Sequence, residues 1–199
     1  MSETLDLWEY RRLVSESYQR VRAGGGRSEA WERWRRDRDD LFANHPQTPL
    51  DDPGEFTGLS YFPYDSRWRV PGIFTEDESR SLEIGHSGEG STSSQRSGWV
   101  DFEVAGHKGR LALYWLDSYG GGVFLPFRDQ SNGSETYGGG RYLLDSAKGA
   151  DLGSDDGSII LDFNYAYHPS CVHSPRWTCP LSPPENRLDF AVRAGERLA

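Results

Sequence analysis

Apolar residues near the start of the chain recur at intervals of three and four positions, which is the spacing of one helix face. Over residues 4–22 this stripe comprises Leu5, Trp8, Tyr10, Leu13, Val14, Tyr18 and Val21. Three glycines at positions 24–26 follow it and are expected to end the helix. The pattern therefore predicts a first helix over residues 4–22.

A second helix is predicted to begin at Ser28, acting as N-cap, and to end near residues 44–46. Its apolar stripe is Trp31, Trp34, Leu41 and Phe42. The other face carries arginines and aspartates in mixed order, which is typical of a solvated face with local ion pairs.

From Phe56 onward, short runs rich in aromatic and β-branched residues are separated by Gly, Asp, Ser and Pro, as in strands joined by turns. Nine strands are predicted, over residues 58–62, 68–74, 79–84, 99–104, 109–116, 122–127, 141–144, 158–164 and 187–192. The Ser/Gly-rich residues 85–98 are expected to form a mobile loop, and the acidic residues 151–157 the tip of a hairpin.

Nine strands with short connections favour an antiparallel β-barrel or sandwich. We therefore predict an α+β fold, mostly β, with two N-terminal helices. The 199 residues suit one main domain with its own core. Residues 1–26 are expected to form a helix and a glycine linker, and residues 27–199 a single β-rich domain with a leading helix.

The net charge of −9 and the pI near 5.0 argue against binding to nucleic acid or to an anionic membrane surface. The N-terminus lacks the apolar core of a signal peptide, and no apolar run is long enough to span a membrane. We expect a cytoplasmic protein whose partner is a small molecule. Formation of a homodimer is left open.

Residues 127–142 form a glycine-bearing loop that holds Arg128, Asp129, Glu135, Tyr137 and Arg141. This loop is interpreted either as part of a binding site or as a hairpin whose ion pairs hold the turn. Its three consecutive glycines lack the Lys-Ser/Thr pair that follows them in a phosphate-binding loop. No nucleotide cofactor is therefore expected.

The segment of residues 162–188 contains both cysteines, two of the five histidines and five of the eleven prolines. Because proline fixes the backbone, this segment is expected to be rigid without being helix or sheet. His168, Cys171, His173 and Cys179 suit a Zn-like metal ion. The alternatives are a disulfide, two free thiols, or a nucleophilic or redox cysteine with a histidine as base.

The leading hypothesis is a small-molecule enzyme that uses general acid/base chemistry in a cavity of the β body, as an isomerase, a lyase or cyclase, or a hydrolase. Asp162 and Glu185 would be acid and base, and His168 or His173 would shuttle protons. Tyr137 would donate a hydrogen bond, and Cys171 would be the nucleophile if one is used.

The substrate-binding residues of this hypothesis are Arg128, Asp129, Glu135, Arg141, Asn164 and Asn186, with the two arginines holding an anionic or carbonyl group. The hypothesis requires the glycine-rich loop and the proline-rich segment to face one cavity. The alternatives are a non-catalytic protein that binds a small ligand and a metalloprotein that uses the His/Cys set.

Ten short pieces of the chain together resemble the domain-of-unknown-function family sixteen-eighty-four of bacteria and archaea. They are residues 31–38, 48–50, 56–63, 124–129, 135–142, 161–167, Cys171, 179–180, 184–188 and 194–196. The resemblance implies no catalytic role for any residue. Members of the family usually carry Asn at the position of His168 and an aromatic residue at that of His173.

Overall fold

A computed structural model of the chain describes residues 2–199 and begins with two packed helices, α1 (Glu3–Gly24) and α2 (Ser28–Asn44). Both predicted helices are thus confirmed. The predicted cap is wrong, because Arg27 occupies the N-cap position and Ser28 is already helical. Gly25 ends α1 in the left-handed conformation, with φ of 66°, which glycine adopts without steric cost.

Seven strands follow the helices in the described part of the chain. They are β1 (Arg69–Gly85), β2 (Ser91–Val104), β3 (His107–Leu116), β4 (Val123–Phe127), β5 (Arg141–Asp145), β6 (Ser154–Asp155) and β7 (Ser158–Asp162). They form one antiparallel sheet in the order β5-β4-β3-β2-β1-β7-β6. The fold is α+β, mostly β, and sandwich-like, since the sheet is not closed into a barrel.

The predicted loop over residues 85–98 is wrong in its second half, because residues 91–98 belong to β2. Gly85 of β1 pairs with Ser91, so the hairpin extends well beyond the apolar part of either strand. Serine and threonine are compatible with strand backbone; Ser91 and Ser93 are exposed here, whereas Ser94 is fully buried. The strands predicted at 68–74 and 79–84 are one strand, whose register shifts between Glu76 and Arg80.

Two other predicted strands, residues 58–62 and 187–192, are extended chain that makes only single bridges to other segments. The strand predicted over 158–164 ends at Asp162. There the Asp162 side chain accepts the Asn164 N–H (3.1 Å) and starts a short 3-10 turn, Phe163–Tyr165. The acidic hairpin is confirmed, with β6 and β7 on either side of its tip.

Alternate side chains along the strands enter two different cores. Leu111 and Leu113 of β3 contact apolar residues of the C-terminal segment, including Leu188 and Phe190. Ala112 and Tyr114, which point to the opposite face of β3, belong to the core that the two helices cover. This core also contains Tyr18, Trp31, Trp34 and Tyr165. The sheet is therefore buried on both faces, by helices on one side and by the irregular C-terminal segment on the other.

Among residues 2–199, neither helix is apolar enough over a sufficient length to cross a membrane.

Candidate functional site

The glycine-rich loop and the proline-rich segment lie against each other, but they are in direct contact and do not face the shared cavity that the hypothesis required. The backbone N–H of Tyr137 donates to His168 Nε2 (3.2 Å), and the Tyr137 hydroxyl lies 4.0 Å from Cys171 Sγ. Further along, the N–H of Ser182 donates to the carbonyl of Gly139 (3.3 Å). Two segments about thirty residues apart in sequence thus share one contact surface.

This surface is packed rather than hollow where the glycines lie. A Cβ at Gly139 would overlap the Tyr137 ring and lie 2.8 Å from Leu181, and one at Gly140 (φ 98°) would lie 2.5 Å from the Phe127 carbonyl oxygen. Five surface cavities of about 370–520 Å³ are lined by residues other than the proposed site residues. The glycines therefore serve close packing of the C-terminal segment.

Arg141 and Asp129, predicted to bind substrate, instead fasten this segment to the sheet. Both side chains are fully buried and their charged atoms lie 2.9 Å apart. Arg141 also donates to the carbonyl oxygens of Val192 (2.7 Å), Ala194 and Glu196 (3.1 Å). A buried guanidinium whose two terminal nitrogens donate to four acceptors, with only Nε unpartnered, has a structural role here.

Asn186 and Asn164 replace missing strand partners. The Asn186 side chain accepts the N–H of Ala112 (2.7 Å) and donates to that residue's carbonyl (2.9 Å) and to the carbonyl of Pro126 (2.7 Å). The Asn164 side chain pairs in the same two-way manner with the backbone of Asp65. Both amides are buried and satisfied, so neither is presented to a substrate.

The other two predicted binding residues lie at the edge of the same surface. Glu135 forms an exposed ion pair with Arg193 (3.0 Å). Arg128 is half-buried, and its backbone pairs with that of Asn186 and Leu188 on the C-terminal segment.

The proposed acid and base have different partners. Asp162 is fully buried, lies 3.6 Å from Arg69 and has its pKa raised by burial, against the opposing effect of its hydrogen bonds with Asn164. Glu185 is exposed and accepts a hydrogen bond from the Tyr114 hydroxyl (2.9 Å). Asp162 therefore acts as a turn cap, and the two carboxylates do not form a catalytic pair.

His168 and His173 contact a residue that the sequence reasoning missed, Glu196. Its carboxylate is 1% exposed and accepts hydrogen bonds from the Arg38 side chain (2.7 Å) and from the backbone N–H of His168 (3.0 Å). His168 Nδ1 and His173 Nε2 lie 3.5 and 3.4 Å from its other oxygen. We call Arg38, His168, His173 and Glu196 the carboxylate centre.

Burial acts to raise the pKa of Glu196, but the charge of Arg38 and the hydrogen bonds of the two histidines outweigh it and hold that pKa well below its ordinary value. The centre thus contains an ionised, buried glutamate. Since His168 Nε2 accepts the Tyr137 N–H, its proton is on Nδ1 and faces Glu196.

The sequence contains one indication of this centre, the position of Arg38 on α2. Arg38 lies on the charged face, which the mixed charges predict to be solvated, yet its side chain is only 14% exposed. It stacks over the rings of Trp34, Phe42 and Tyr167. Arg38 follows Trp34 by one helical turn, and this spacing could have indicated a buried cation–π pair.

The two cysteines form a separate group with Tyr137 and Ser87, which we call the thiol site. Cys171 lies in a short 3-10 turn, Ser170–Val172, and Cys179 lies in extended chain beside the β1–β2 turn. There the Ser87 N–H donates to the Cys179 carbonyl (2.9 Å), and the Cys179 N–H donates to Ser87 Oγ (3.1 Å). Both thiols are free and half-buried.

Hydrogen bonds make the two thiols unlike each other. The Cys179 thiol, followed by the hydroxyls of Ser87 and Tyr137, donates to Cys171 and lowers the pKa of that thiol to about 6, although burial opposes this. The hydrogen bond with Cys171, together with burial, raises the pKa of the Cys179 thiol. Of the two thiols, Cys171 therefore ionises more easily and Cys179 holds its proton more strongly.

The proposed metal set is divided between these two groups, because the histidines face Glu196 while the cysteines face each other. Within residues 2–199, no three His, Cys, Asp or Glu side chains have the arrangement of a metal site. The four predicted ligands His168, Cys171, His173 and Cys179 thus do not converge.

A cavity of about 460 Å³ lies between the β3–β4 connection and the short turn Ser146–Lys148, with Pro180 of the proline-rich segment at its wall. Its wall includes Tyr142, Lys148 and Pro180, the residue that follows Cys179. The Tyr142 hydroxyl donates to the Pro180 carbonyl (2.5 Å), and Lys148 pairs with Asp145 (2.9 Å). The cavity has the volume of a small-ligand site.

Residues 54–197 match the family described as "Protein of unknown function (DUF1684)". The chain belongs to this family. A solution NMR structure of an uncharacterized protein from Haloarcula marismortui is similar to it, with 35% sequence identity and a TM-score of 0.61, over 86% of this chain and 96% of that one. No curated protein matches the chain. The resemblance noted from the sequence is thereby confirmed. The matched region contains the cysteines, Tyr137 and Ser87 of the thiol site and all of the carboxylate centre except Arg38.

Proposed function

We propose that the protein is an enzyme that acts on a small organic molecule, with the Cys171 thiolate as its base or nucleophile and without a nucleotide cofactor. The observation that carries this proposal is a half-buried thiol surrounded by three hydrogen-bond donors, with a pKa of about 6. Such a group is largely ionised at neutral pH while still basic enough to accept a proton.

The neighbours of Cys171 supply the other half of acid/base chemistry. Burial, and then the charge of Cys171, raise the pKa of the Tyr137 hydroxyl, which keeps it protonated and able to donate. The Cys179 thiol is a second protonated group. A thiolate beside two neutral acids suits proton transfer in an isomerisation, elimination or cyclisation, and equally a covalent hydrolytic step.

The adjoining cavity supports a small substrate. Its volume of about 460 Å³ and its mixed wall of Tyr142, Lys148 and Pro180 suit a molecule with an apolar body and an anionic group. The cavity borders Pro180, the residue after Cys179, and we propose that a substrate reaches the thiols from there. We expect the enzyme to work in the cytoplasm, where free thiols stay reduced.

The first test is the pH dependence of alkylation of the purified protein by iodoacetamide, with the two cysteines resolved by peptide mass spectrometry. Labelling of Cys171 is expected to reach half its maximal rate near pH 6, because only the thiolate reacts. Tyr137→Phe removes one donor and should raise this midpoint by about half to one pH unit.

Position 179 offers a matched pair of controls. Cys179→Ala removes the first donor and should raise the midpoint further than Tyr137→Phe does, whereas Cys179→Ser keeps a donor and should raise it less. A Cys171 that labels only above pH 8 in the wild-type protein would contradict the proposal.

The second test concerns turnover. The wild-type protein and Cys171→Ser are each incubated with a small-molecule cell extract, and compounds that change are identified by mass spectrometry. We expect at least one compound to be consumed by the wild-type protein alone. A compound bound by both proteins and consumed by neither would instead favour a non-catalytic binding protein.

A further inference from the structure

The two thiols are the only cysteines of the chain, and they contact each other without being bonded. They reach this contact from different local structures, a 3-10 turn for Cys171 and extended chain for Cys179. The second is held in place by two hydrogen bonds to Ser87, at 2.9 and 3.1 Å. Two adjacent thiols that are separately anchored can pass from thiol to disulfide and back.

The hydrogen bonds around Ser87 assign a role to each sulfur. Ser87 Oγ accepts the Cys179 N–H, which leaves its own O–H free to donate to the Cys171 sulfur. Cys171 lies beside three polar groups, the hydroxyls of Ser87 and Tyr137 and the Cys179 thiol. Cys179 is fastened to Ser87 through its backbone and interacts with Cys171, in the position of a second thiol that attacks after the first has been oxidised.

The exposure of the two cysteines is also compatible with oxidation by a small molecule. Both sulfurs are half-buried, so a small oxidant can reach Cys171 while its partner remains in contact. The carboxylate centre, in contrast, is closed to solvent at Glu196 and at His168. Oxidative chemistry is consequently confined to one end of the proline-rich segment.

We propose that Cys171 and Cys179 form a reversible redox pair that reduces hydroperoxides, a reaction that uses the same thiolate as the proposed function. The Cys171 thiolate attacks the terminal peroxide oxygen and breaks the O–O bond. Cys171 becomes a sulfenic acid, and the remaining oxygen leaves as an alkoxide or hydroxide that takes up a proton.

The Cys179 thiol then attacks the sulfenic sulfur. The S–S bond forms, and the sulfenic hydroxyl leaves as water with the proton of Cys179. The two electrons that reduce the peroxide come from the two sulfurs, and a dithiol reductant returns them. While the disulfide persists, no thiolate is present and the proposed acid/base activity stops.

The experiment exposes freshly reduced protein to hydrogen peroxide at neutral pH, quenches it with iodoacetamide and measures the intact mass. Because the chain holds only two cysteines, each result has one assignment. We expect both thiols to become unreactive together with the loss of two hydrogens, and dithiothreitol to restore both. In Cys179→Ser, dimedone should trap a sulfenic acid on Cys171, and in Cys171→Ser the remaining thiol should stay reactive.

Three results would overturn the redox pair. They are two thiols still labelled after peroxide, Cys171 oxidised to a sulfinic acid while Cys179 remains labelled, or a disulfide found only between chains. The Cys179→Ser variant distinguishes failure of the redox pair from failure of the proposed function. If Cys171 of this variant is still labelled with a midpoint at low pH, the proposed thiolate site stands although no disulfide can form within the chain.

Discussion

The carboxylate centre and the thiol site lie on the same proline-rich segment and share Tyr137, yet they differ in nearly every physical respect. Tyr137 donates its backbone N–H to His168 on one side and reaches Cys171 with its hydroxyl on the other. The carboxylate centre is buried and contains an ionised glutamate, with Arg38 and Glu196 joined at 2.7 Å. The thiol site is half-exposed, and its ionised atom has no cationic partner among its hydrogen-bond donors.

This difference separates two uses of shifted pKa values. In the carboxylate centre the shift of Glu196 measures how strongly the folded state prefers the ionised form, so it is a contribution to stability. In the thiol site the lowered pKa belongs to Cys171, a half-buried thiol to which we assign the proposed chemistry. Perturbed ionisation therefore indicates function only where the group can be reached.

The largest expected difference between the two regions is in unfolding free energy. Glu196→Gln leaves Arg38 buried without a negative partner, and we expect it to lower the free energy of unfolding by about 3–5 kcal/mol. Cys171→Ser removes no buried pair and should lower it by less than about 1 kcal/mol. Urea denaturation of both variants checks the contrast.

A matched variant sharpens this comparison. Arg38→Met keeps the stem that packs on Trp34 and Phe42 while removing the charge. The double variant with Glu196→Gln should lose less stability than the sum of the two single losses. Equal losses for Glu196→Gln and Cys171→Ser would contradict the division into a structural and a chemical region.

Acid should distinguish the regions next. The pKa of Glu196 is lower in the folded than in the unfolded chain, so its contribution is fully present above its unfolded value near 4.5 and is lost as the pH falls through the folded value. Urea midpoints measured downward from pH 5 should fall more steeply for the wild-type protein than for Glu196→Gln. Two parallel curves would show that Glu196 is not held ionised.

The smallest expected effect lies at the connection between the regions. His168→Asn keeps a side chain able to accept the Tyr137 N–H, whereas His168→Leu leaves this N–H without its acceptor. We expect the Leu variant to be about 1 kcal/mol less stable than the Asn variant. Thermal unfolding measures the difference, and an Asn variant no more stable than the Leu variant would show that the acceptor is unimportant.

Local sequence patterns predicted the elements that depend on local physics. The 3.6-residue stripe located both helices, and runs of aromatic and β-branched residues located β3, β7 and the second half of β2. The extent of β2 was not predictable in this way. Its polar first half, residues 91–98, is a strand because β1 and β3 lie beside it, and that pairing is not written in its own composition.

The location of the candidate site was predicted from the sequence, but the roles of its residues were not. Concentration of special residues indicated correctly that residues 127–142 and 162–188 meet. The sequence did not show that the side chains of Arg141, Asn164 and Asn186 form hydrogen bonds with backbone groups. An irregular segment packed on a sheet needs such partners, because its buried backbone groups lack the regular ones of helix and strand. The sequence also could not pair Arg38 with Glu196, which lie 158 positions apart.

That separation has a consequence for how the chain is made. Helix α2 is synthesised early, but the residue that neutralises its buried arginine emerges from the ribosome 158 positions later. Contacts of such long range form slowly, because most of the chain must be ordered to close them. We therefore expect helices α1 and α2 not to pack stably on the sheet until the C-terminal residues have been synthesised. Their packing should be among the last events of folding.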